Sequence, residues 1–405
     1  MNRPHGPIAV TSSQAVTREE WPLEVSVVMP CLNEADTVAT CIRKARRALQ
    51  EHGLEGEIIV ADNGSTDGSV EMAAAEGARV VRVAERGYGH ALMGGIAAAR
   101  GRFIIMGDAD DSYDFGEIPR IVAGLRQGAQ LVQGCRLPSG GGTIRPAAMP
   151  FLHRWCGNPL LSWLARRMFG VPVHDVYCGL RGFTRELYDR LDLRCTGMEF
   201  ATEMIIKASL YGEPIAEVPI TLHPDGRKQG RSHLRTFRDG WRTLRLFLLY
   251  SPRWLFLVPG LLLIALGLLG YGLALPAATF AGITLDAHTL LVASLATLLG
   301  YQSVLFGVFS KTFAVRERLL PFDPRLARWL AWFRLERCLL LGAAAFLVGL
   351  GLIGVAWDQW RAIGFGRLDY ARTMRWVIPG VTLASLGFQT ILAGFLLSIL
   401  DLGRK

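Results

Sequence analysis

RFIIMGDADDS, residues 102–112, is an apolar run that passes directly into carboxylates. Four bulky apolar residues in succession suit a strand buried on both faces, and the acidic residues then fall just beyond its carboxyl end. Outward from that stretch the same rhythm repeats. Toward the N-terminus lie VSVVMP (25–30), a helical pattern near 37–50, EIIVAD (57–62), a helical pattern near 69–76, ARVVRVA (78–84) and a helical pattern near 90–100. Toward the C-terminus follow a helical pattern near 117–126 and AQLVQG (129–134). Short apolar runs alternating with helices predict an α/β fold, a mostly parallel sheet with helices on both faces. Ligands of such sheets bind beyond the carboxyl ends of the strands. Asn33, Glu34, Asp62, Asp108 and Asp110 therefore become the candidate binding residues.

Asp108 and Asp110 stand at i and i+2, so both can project the same way from an extended chain. Hard oxygen ligands at that spacing suit Mg2+ or Mn2+ shared with a diphosphate. Taken alone, the same residues also describe a solvated turn. A phosphatase nucleophile motif is a local rival, with Ser112 at its hydroxyl position, but no later Gly-Asp-Gly-x-x-x-Asp loop accompanies it and the motif follows the fourth strand. GYGHALMGG (87–95) lacks the spacing of a dinucleotide fingerprint. Its glycines admit either a ligand or a neighbouring helix close to the backbone.

The 405 residues carry 44 Lys plus Arg against 35 Asp plus Glu, a net charge of +9, and 51% are hydrophobic. That hydrophobicity is concentrated late in the chain. Leu255–Leu275, Thr289–Ser310, Cys338–Trp357 and Trp376–Leu400 contain no Asp, Glu, Lys or Arg. About 20 helical residues cross a hydrocarbon core, so each run can span a bilayer. Lys311, Arg316, Arg318, Arg325, Arg328, Arg334 and Arg337 fall between the second and third runs, and no Lys or Arg falls between the first and second. The positive-inside rule then puts the basic loop and the first 250 residues in the cytoplasm, although Arg361, Arg367, Arg372 and Arg375 in the third loop oppose it. The seven cysteines form no Cys-x-x-Cys pair, which suits reduced thiols. Residues 1–23 are polar with no apolar core and are expected to be a loose tail.

The order of these motifs resembles the family-2 glycosyltransferases of the GT-A fold, and among them the polyprenyl-phosphate glycosyltransferases such as dolichyl-phosphate mannose or glucose synthases. The resemblance covers about residues 24–250. It rests on PCLNE (30–34), ADNGSTDGS (61–69), DADDS (108–112), GCR (134–136), DVYCGLRGFTRE (175–186), GMEFATEMIIKA (197–208) and RKQGRSHL (227–234). It implies that Pro30, Asn33, Glu34, Asp62, Asp108, Ala109 and Asp110 hold the nucleotide sugar, with Asp108 and Asp110 also on the metal. On the acceptor side it implies Arg136, Arg181, Glu203, Arg231 and Ser232, with Asp110 and Arg231 carrying the chemistry. Two positions depart from the family: Ser112 stands where mannose synthases often have Gln, and no Lys follows Gly87.

Arg231, Arg235, Arg238, Arg242 and Arg245 alternate with Leu234, Phe237, Trp241, Leu244 and Phe247, a pattern for an amphipathic juxtamembrane helix over 231–254. Residues 150–170, with Arg154, Arg166 and Arg167 near Trp155 and Trp163, form a second such candidate. The expected organisation is a tail (1–23), a GT-A domain (24–230), that helix, four transmembrane helices (255–400) and a cytoplasmic tail (401–405). The expected reaction is inverting transfer of a hexose from a nucleotide sugar to a polyprenyl phosphate on the cytoplasmic face of the plasma (inner) membrane, with Mg2+ or Mn2+ and no nucleic-acid partner. A processive polysaccharide synthase is disfavoured because none of the three Arg-Trp pairs follows a Gln at the required spacing. A lipid-sugar transporter is disfavoured because the apolar runs hold only Gln302, Gln389 and hydroxyls.

Overall fold

The computed structural model describes residues 21–227, 236–280, 282–324, 327–328 and 333–401. The tail expected over residues 1–23 lies outside it as far as residue 20, as do residues 402–405. The chain divides into two compact units after Gly240.

The first unit alternates β1 (Leu23–Cys31), α1 (Val38–Glu51), β2 (Gly56–Asp62), α2 (Ser69–Ala75), β3 (Arg79–Arg82), α3 (Tyr88–Ala98), β4 (Gly101–Met106), α4 (Ile118–Arg126) and β5 (Leu131–Cys135). Each expected strand and helix of this stretch is present, with ends displaced by a residue or two. The chain continues through β6 (Thr143–Ile144), α5 (Asn158–Phe169), β7 (Arg181–Thr184), α6 (Arg185–Leu191), α7 (Phe200–Leu210), β8 (Ile215–Pro219) and β9 (Thr221–Leu222). The main sheet has seven strands in the order β3-β2-β1-β4-β7-β5-β8. It is mostly parallel, and β7 runs antiparallel to both β4 and β5. Register places Cys31 beside Asp62 and Arg181 beside Met106. The carboxyl ends of β1, β2 and β4 thus open on one edge.

The helices cover the sheet as their spacing dictates. Val38, Cys41, Ile42, Ala45, Ala48 and Leu49 form the buried stripe of α1, and they join Val25, Val27, Met29, Val60 and Ile105 in one core. On α3, Gly94 and Gly95 lie against Val83 and Val28, where an added Cβ would meet those side chains. What comes close to these two glycines is thus the sheet, where the sequence alone predicts a ligand or a neighbouring helix.

α8 (Thr236–Leu249) occupies the stretch expected to be amphipathic. In the second unit four helices are long and apolar enough to cross a membrane: Arg253–Ala274, Ala287–Arg316, Leu335–Ala362 and Tyr370–Asp401. They contain the four apolar runs almost entirely; only Leu275 falls just beyond its helix. Close glycine contacts join them in pairs. A Cβ on Gly260 would lie 2.8 Å from Gly300 O, and one on Gly342 the same distance from Gly387 O. Small residues let apolar helices approach where no hydrophobic driving force acts between them.

Candidate active site

β4 ends at Met106, and the next turn carries the acidic cluster. Asp108 Oδ1 accepts a hydrogen bond from the Tyr88 hydroxyl at 2.8 Å. Asp110 Oδ1 accepts from Ser112 N at 3.0 Å and Ser112 Oγ at 2.6 Å. Asp111, at φ 61, turns away to Lys44 Nζ at 2.8 Å. Two of the three carboxylates are therefore left facing the strand-end edge. Burial, and then the charge of Asp110, push the Asp108 carboxyl up to about 7. Like charges crowded this closely favour any cation that can sit between them.

The loops after β1, β2 and β3 are stitched into one wall. Asn33, at φ 59, accepts from Thr66 N at 2.8 Å through Oδ1, while its own N–H donates to Ser65 Oγ at 2.9 Å. Glu34 N donates to Ser69 Oγ at 2.8 Å. Asp62 accepts from Ser65 N at 3.0 Å and Gly64 N at 3.2 Å. Asn63 receives Gly87 N at 2.7 Å and donates to Glu85 O at 2.7 Å. Beyond this wall lies a cavity of about 630 Å3, lined in part by Asp62, Ser65, Thr66 and Arg82. Pro30 and Ala109 add backbone rather than side-chain chemistry, Pro30 ending the apolar run of β1 and Ala109 lying buried between the two carboxylates.

One cation at this edge was not singled out in the sequence. Arg227 Nε donates to Glu34 Oε2 at 2.8 Å and Nη2 donates to Glu34 Oε1. Nη1 donates to Asp225 Oδ2 at 2.6 Å, and Nη2 stands 3.8 Å from Asp110 Oδ2. Burial works against the charge, but these carboxylates outweigh it and hold the guanidinium above its usual range. The segment that carries Arg227 lies on the acidic turn: Tyr113 bridges to Leu222, His223 N donates to Ser112 O at 2.9 Å, and Gly226 N donates to Asp110 O at 3.0 Å. The acidic edge thus already recruits positive charge. Arg227 begins RKQGRSHL, so the signal lies in that stretch, four residues before Arg231.

Beside Asp108, Arg136 is buried against Asp175. Nε donates to Oδ2 at 2.7 Å and Nη2 to Oδ1 at 2.9 Å. Burial lowers its pKa and the Asp175 charge more than offsets that, so Arg136 stays well above the ordinary value. Arg136 Nη1 lies 3.4 Å from the Tyr113 hydroxyl, which accepts from Gly179 N at 2.9 Å. A Cβ on Gly179 would lie 2.7 Å from Asp108 Oδ2, so the absent side chain is what admits this backbone.

Two of the acceptor-side candidates lie inside the fold. Arg181 and Glu203 are both fully buried. Arg181 lies in β7 and spends its guanidinium on the carbonyls of Ala201 at 2.5 Å and Cys178 at 2.7 Å. Glu203, in α7, accepts from Arg194 N at 2.9 Å and Cys195 N at 2.7 Å and pairs with Lys207 at 3.2 Å. Neither charge reaches the surface: Arg181 is spent on backbone carbonyls, and Glu203 on the 194–195 N–H groups and Lys207. Arg231 and Ser232 lie outside the described residues.

Among the described residues no three His, Cys, Asp or Glu converge on a metal position. The two hard carboxylates Asp108 and Asp110, mutually repelling and close to a recruited guanidinium, nonetheless fit a divalent cation that would complete its shell with other oxygen ligands.

Residues 26–192 match the model "Glycosyl transferase family 2", and residues 308–401 match "Glycosyltransferase family 2 C-terminal transmembrane region". The low-salt glycan biosynthesis hexosyltransferase Agl6 of Haloferax volcanii is 38% identical over 93% of this chain and 89% of its own. The dolichyl-phosphate hexose transferase of the same organism is 30% identical over 54% of this chain and 89% of its own. Glucosyl-3-phosphoglycerate synthase from Mycobacterium tuberculosis, solved with Mn2+ and UDP, aligns at 26% identity over 56% of this chain and 78% of its own, with a TM-score of 0.43.

Proposed function

The chain belongs to glycosyltransferase family 2, and from that premise we propose that it moves a hexose, with inversion, from a nucleotide sugar to a polyprenyl phosphate on the cytoplasmic face of the plasma (inner) membrane. The observation that carries this reading is the coexistence in one chain of a diphosphate-type carboxylate edge and surfaces suited to lipid. Phe151 is 76% exposed, Trp155 60% and Trp163 52%, with the Arg154 guanidinium over the Trp155 ring. Such an aromatic and basic face suits a membrane interface, and four apolar helices follow it. A relative that covers nearly the whole chain is named a hexosyltransferase, and a second is named a dolichyl-phosphate hexose transferase.

In this reading the wall formed by Asn33, Glu34 and Asp62 takes the nucleoside, and Asp108 and Asp110 face the diphosphate. Mg2+ or Mn2+ held by those two carboxylates would neutralise the charge on the departing nucleoside diphosphate. The acceptor phosphate oxygen forms the new bond to the anomeric carbon as the bond from that carbon to the diphosphate oxygen breaks. A phosphomonoester, with a second pKa of about 6, is already mostly dianionic at neutral pH and needs no general base. It needs cations, for which Arg231 and the Asp175-oriented Arg136 are the candidates, with the Ser232 hydroxyl as a neutral hydrogen-bond donor beside them.

The test offers purified protein undecaprenyl phosphate and undecaprenol side by side, with Mg2+ or Mn2+ and a panel of labelled nucleotide sugars. Label entering the organic phase only with the phosphate supports the proposal. Transfer to the free alcohol would refute it, since a hydroxyl acceptor requires a positioned base.

A further inference from the structure

Tyr88 stands immediately after Gly87, at the position where the sequence departs from its family by lacking Lys. Its hydroxyl donates to Asp108 Oδ1, while the Gly179 backbone borders Oδ2. Asp108 is thereby fixed on both sides and still keeps partial exposure.

What places Tyr88 there is a chain of contacts that starts in α7. Lys207 Nζ, fully buried, donates to Leu191 O at 2.9 Å and Asp192 O at 2.7 Å and pairs with Glu203. Glu203 in turn receives the N–H groups of Arg194 and Cys195. The loop so pinned presses its backbone on both glycines flanking the tyrosine. A Cβ on Gly87 would lie 2.6 Å from Thr196 O, and one on Gly89 would lie 2.6 Å from Thr196 C. Gly87 also adopts φ 145, which L side chains rarely take. His90 N completes the seam by donating to Thr196 O at 3.2 Å.

We infer that Tyr88 is a positioning residue for Asp108, delivered by a glycine-dependent loop that the buried Glu203–Lys207 pair holds in register. This rests on the proposed role of Asp108 and Asp110 at the metal and diphosphate. The burial of Glu203 then has a function distinct from acceptor contact: it orders the loop that orders the carboxylate. Groups behind a metal ligand set its orientation, and their loss commonly weakens metal binding by about 10- to 100-fold.

The experiment measures Mn2+ retention by full-length protein in detergent, from the electron paramagnetic resonance signal of the free ion, with UDP in one arm and GDP in the other. Wild type, Tyr88→Phe and Asp110→Asn are compared. Tyr88→Phe keeps the ring and removes only the hydroxyl, so melting without metal should change little. Its Mn2+ affinity with the supporting nucleotide should fall about tenfold. In turnover assays its Mn2+ requirement should rise, with the KM for polyprenyl phosphate unchanged. Wild-type affinity in Tyr88→Phe, alongside loss in Asp110→Asn, would overturn the inference and leave the metal reading standing. Absence of Mn2+ binding by wild type in both arms, or undiminished binding by Asp110→Asn, would overturn both.

Discussion

Removing the Arg227 side chain should open the segment that lies on the acidic turn. Its guanidinium makes two charge-assisted hydrogen bonds to Glu34 and a third to Asp225. The Arg227 and Glu34 side chains are only 15% and 7% exposed, so solvent screens the Glu34 pair weakly. Hydrogen bonds to charged groups contribute about 1.5–3 kcal/mol each and do not add fully. A local stability loss of about 2–3 kcal/mol for Arg227→Ala, or roughly 30- to 150-fold in an opening equilibrium, is therefore expected. The reporters are the N–H groups of His223 and Gly226, which donate to Ser112 and Asp110. Hydrogen exchange followed by mass spectrometry on peptides spanning 222–227 should show protection falling by that factor, while peptides from β1 and α1 stay protected. Glu34→Gln should give part of the same loss, and the double variant should fall short of the sum because both remove one interaction. Unchanged exchange at His223 and Gly226, or strict additivity, would refute the reasoning. Mg2+ added to Arg227→Ala should restore more protection than it adds to wild type, since the acidic edge then lacks its own cation.

Asp110→Asn should abolish hexose transfer with the fold intact by circular dichroism, whereas Asp111→Asn, which loses only the Lys44 contact, should retain most turnover. Gly179→Ala should destabilise by about 1–3 kcal/mol, the usual range for overpacking, and depress activity. Its Cβ would lie 2.7 Å from Asp108 Oδ2 and 3.0 Å from the Tyr113 ring; a native melting temperature with full activity would contradict it. Burial pushes the thiols of Cys135, Cys178 and Cys195 up to about 12, so at pH 8 they hold their protons and lack the reactive thiolate. Iodoacetamide at that pH should modify exposed Cys156 first, and mass spectrometry should find these three labelled only slowly.

The strands and helices of residues 25–135 were legible because each obeys a local rule: an apolar run for a doubly covered strand, a 3.6-residue stripe for α1. The carboxylates at the strand ends were legible for the same reason, since topology alone carries them to one edge. β7 was not. Its four residues RGFT hold one aromatic, one glycine and a charged residue, and no periodicity marks them as the strand that fills the gap between β4 and β5. Once that insertion is missed, Arg181 reads as a surface cation, although register places it beside Met106 in the sheet. Glu203 misleads in a related way. A Glu four residues before a Lys on a helix looks like a solvated pair, and only the tertiary fold reveals that both charges are buried and bonded to the 191–195 loop. Tyr88 and Arg227 belong to long-range contacts, 20 residues from Asp108 and 193 from Glu34, which local pattern cannot register.

The second unit bears on whether the apolar helices anchor or transport. A pathway for a polar sugar would require ionisable or unsatisfied polar groups along the helix centres. The central runs contain no Asp, Glu, Lys or Arg, and several hydroxyls there bond to one another or to backbone. Tyr271 Oη and Ser294 Oγ both meet Thr382 Oγ1, at 2.7 and 2.6 Å, and Thr382 also donates to Ile378 O. Tyr301 and Thr390 pair at 2.6 Å. The ion pairs Arg375–Asp286 and Arg316–Asp401 sit at helix ends. Gln389, with a buried Oε1 that lacks a partner, is one exception among the described residues, and a single amide does not make a path. Polar atoms consumed in joining helices cannot also solvate a passing headgroup. The bundle is therefore built to hold its helices together, which favours an anchor that keeps the transferase at the bilayer where a lipid phosphate would be presented.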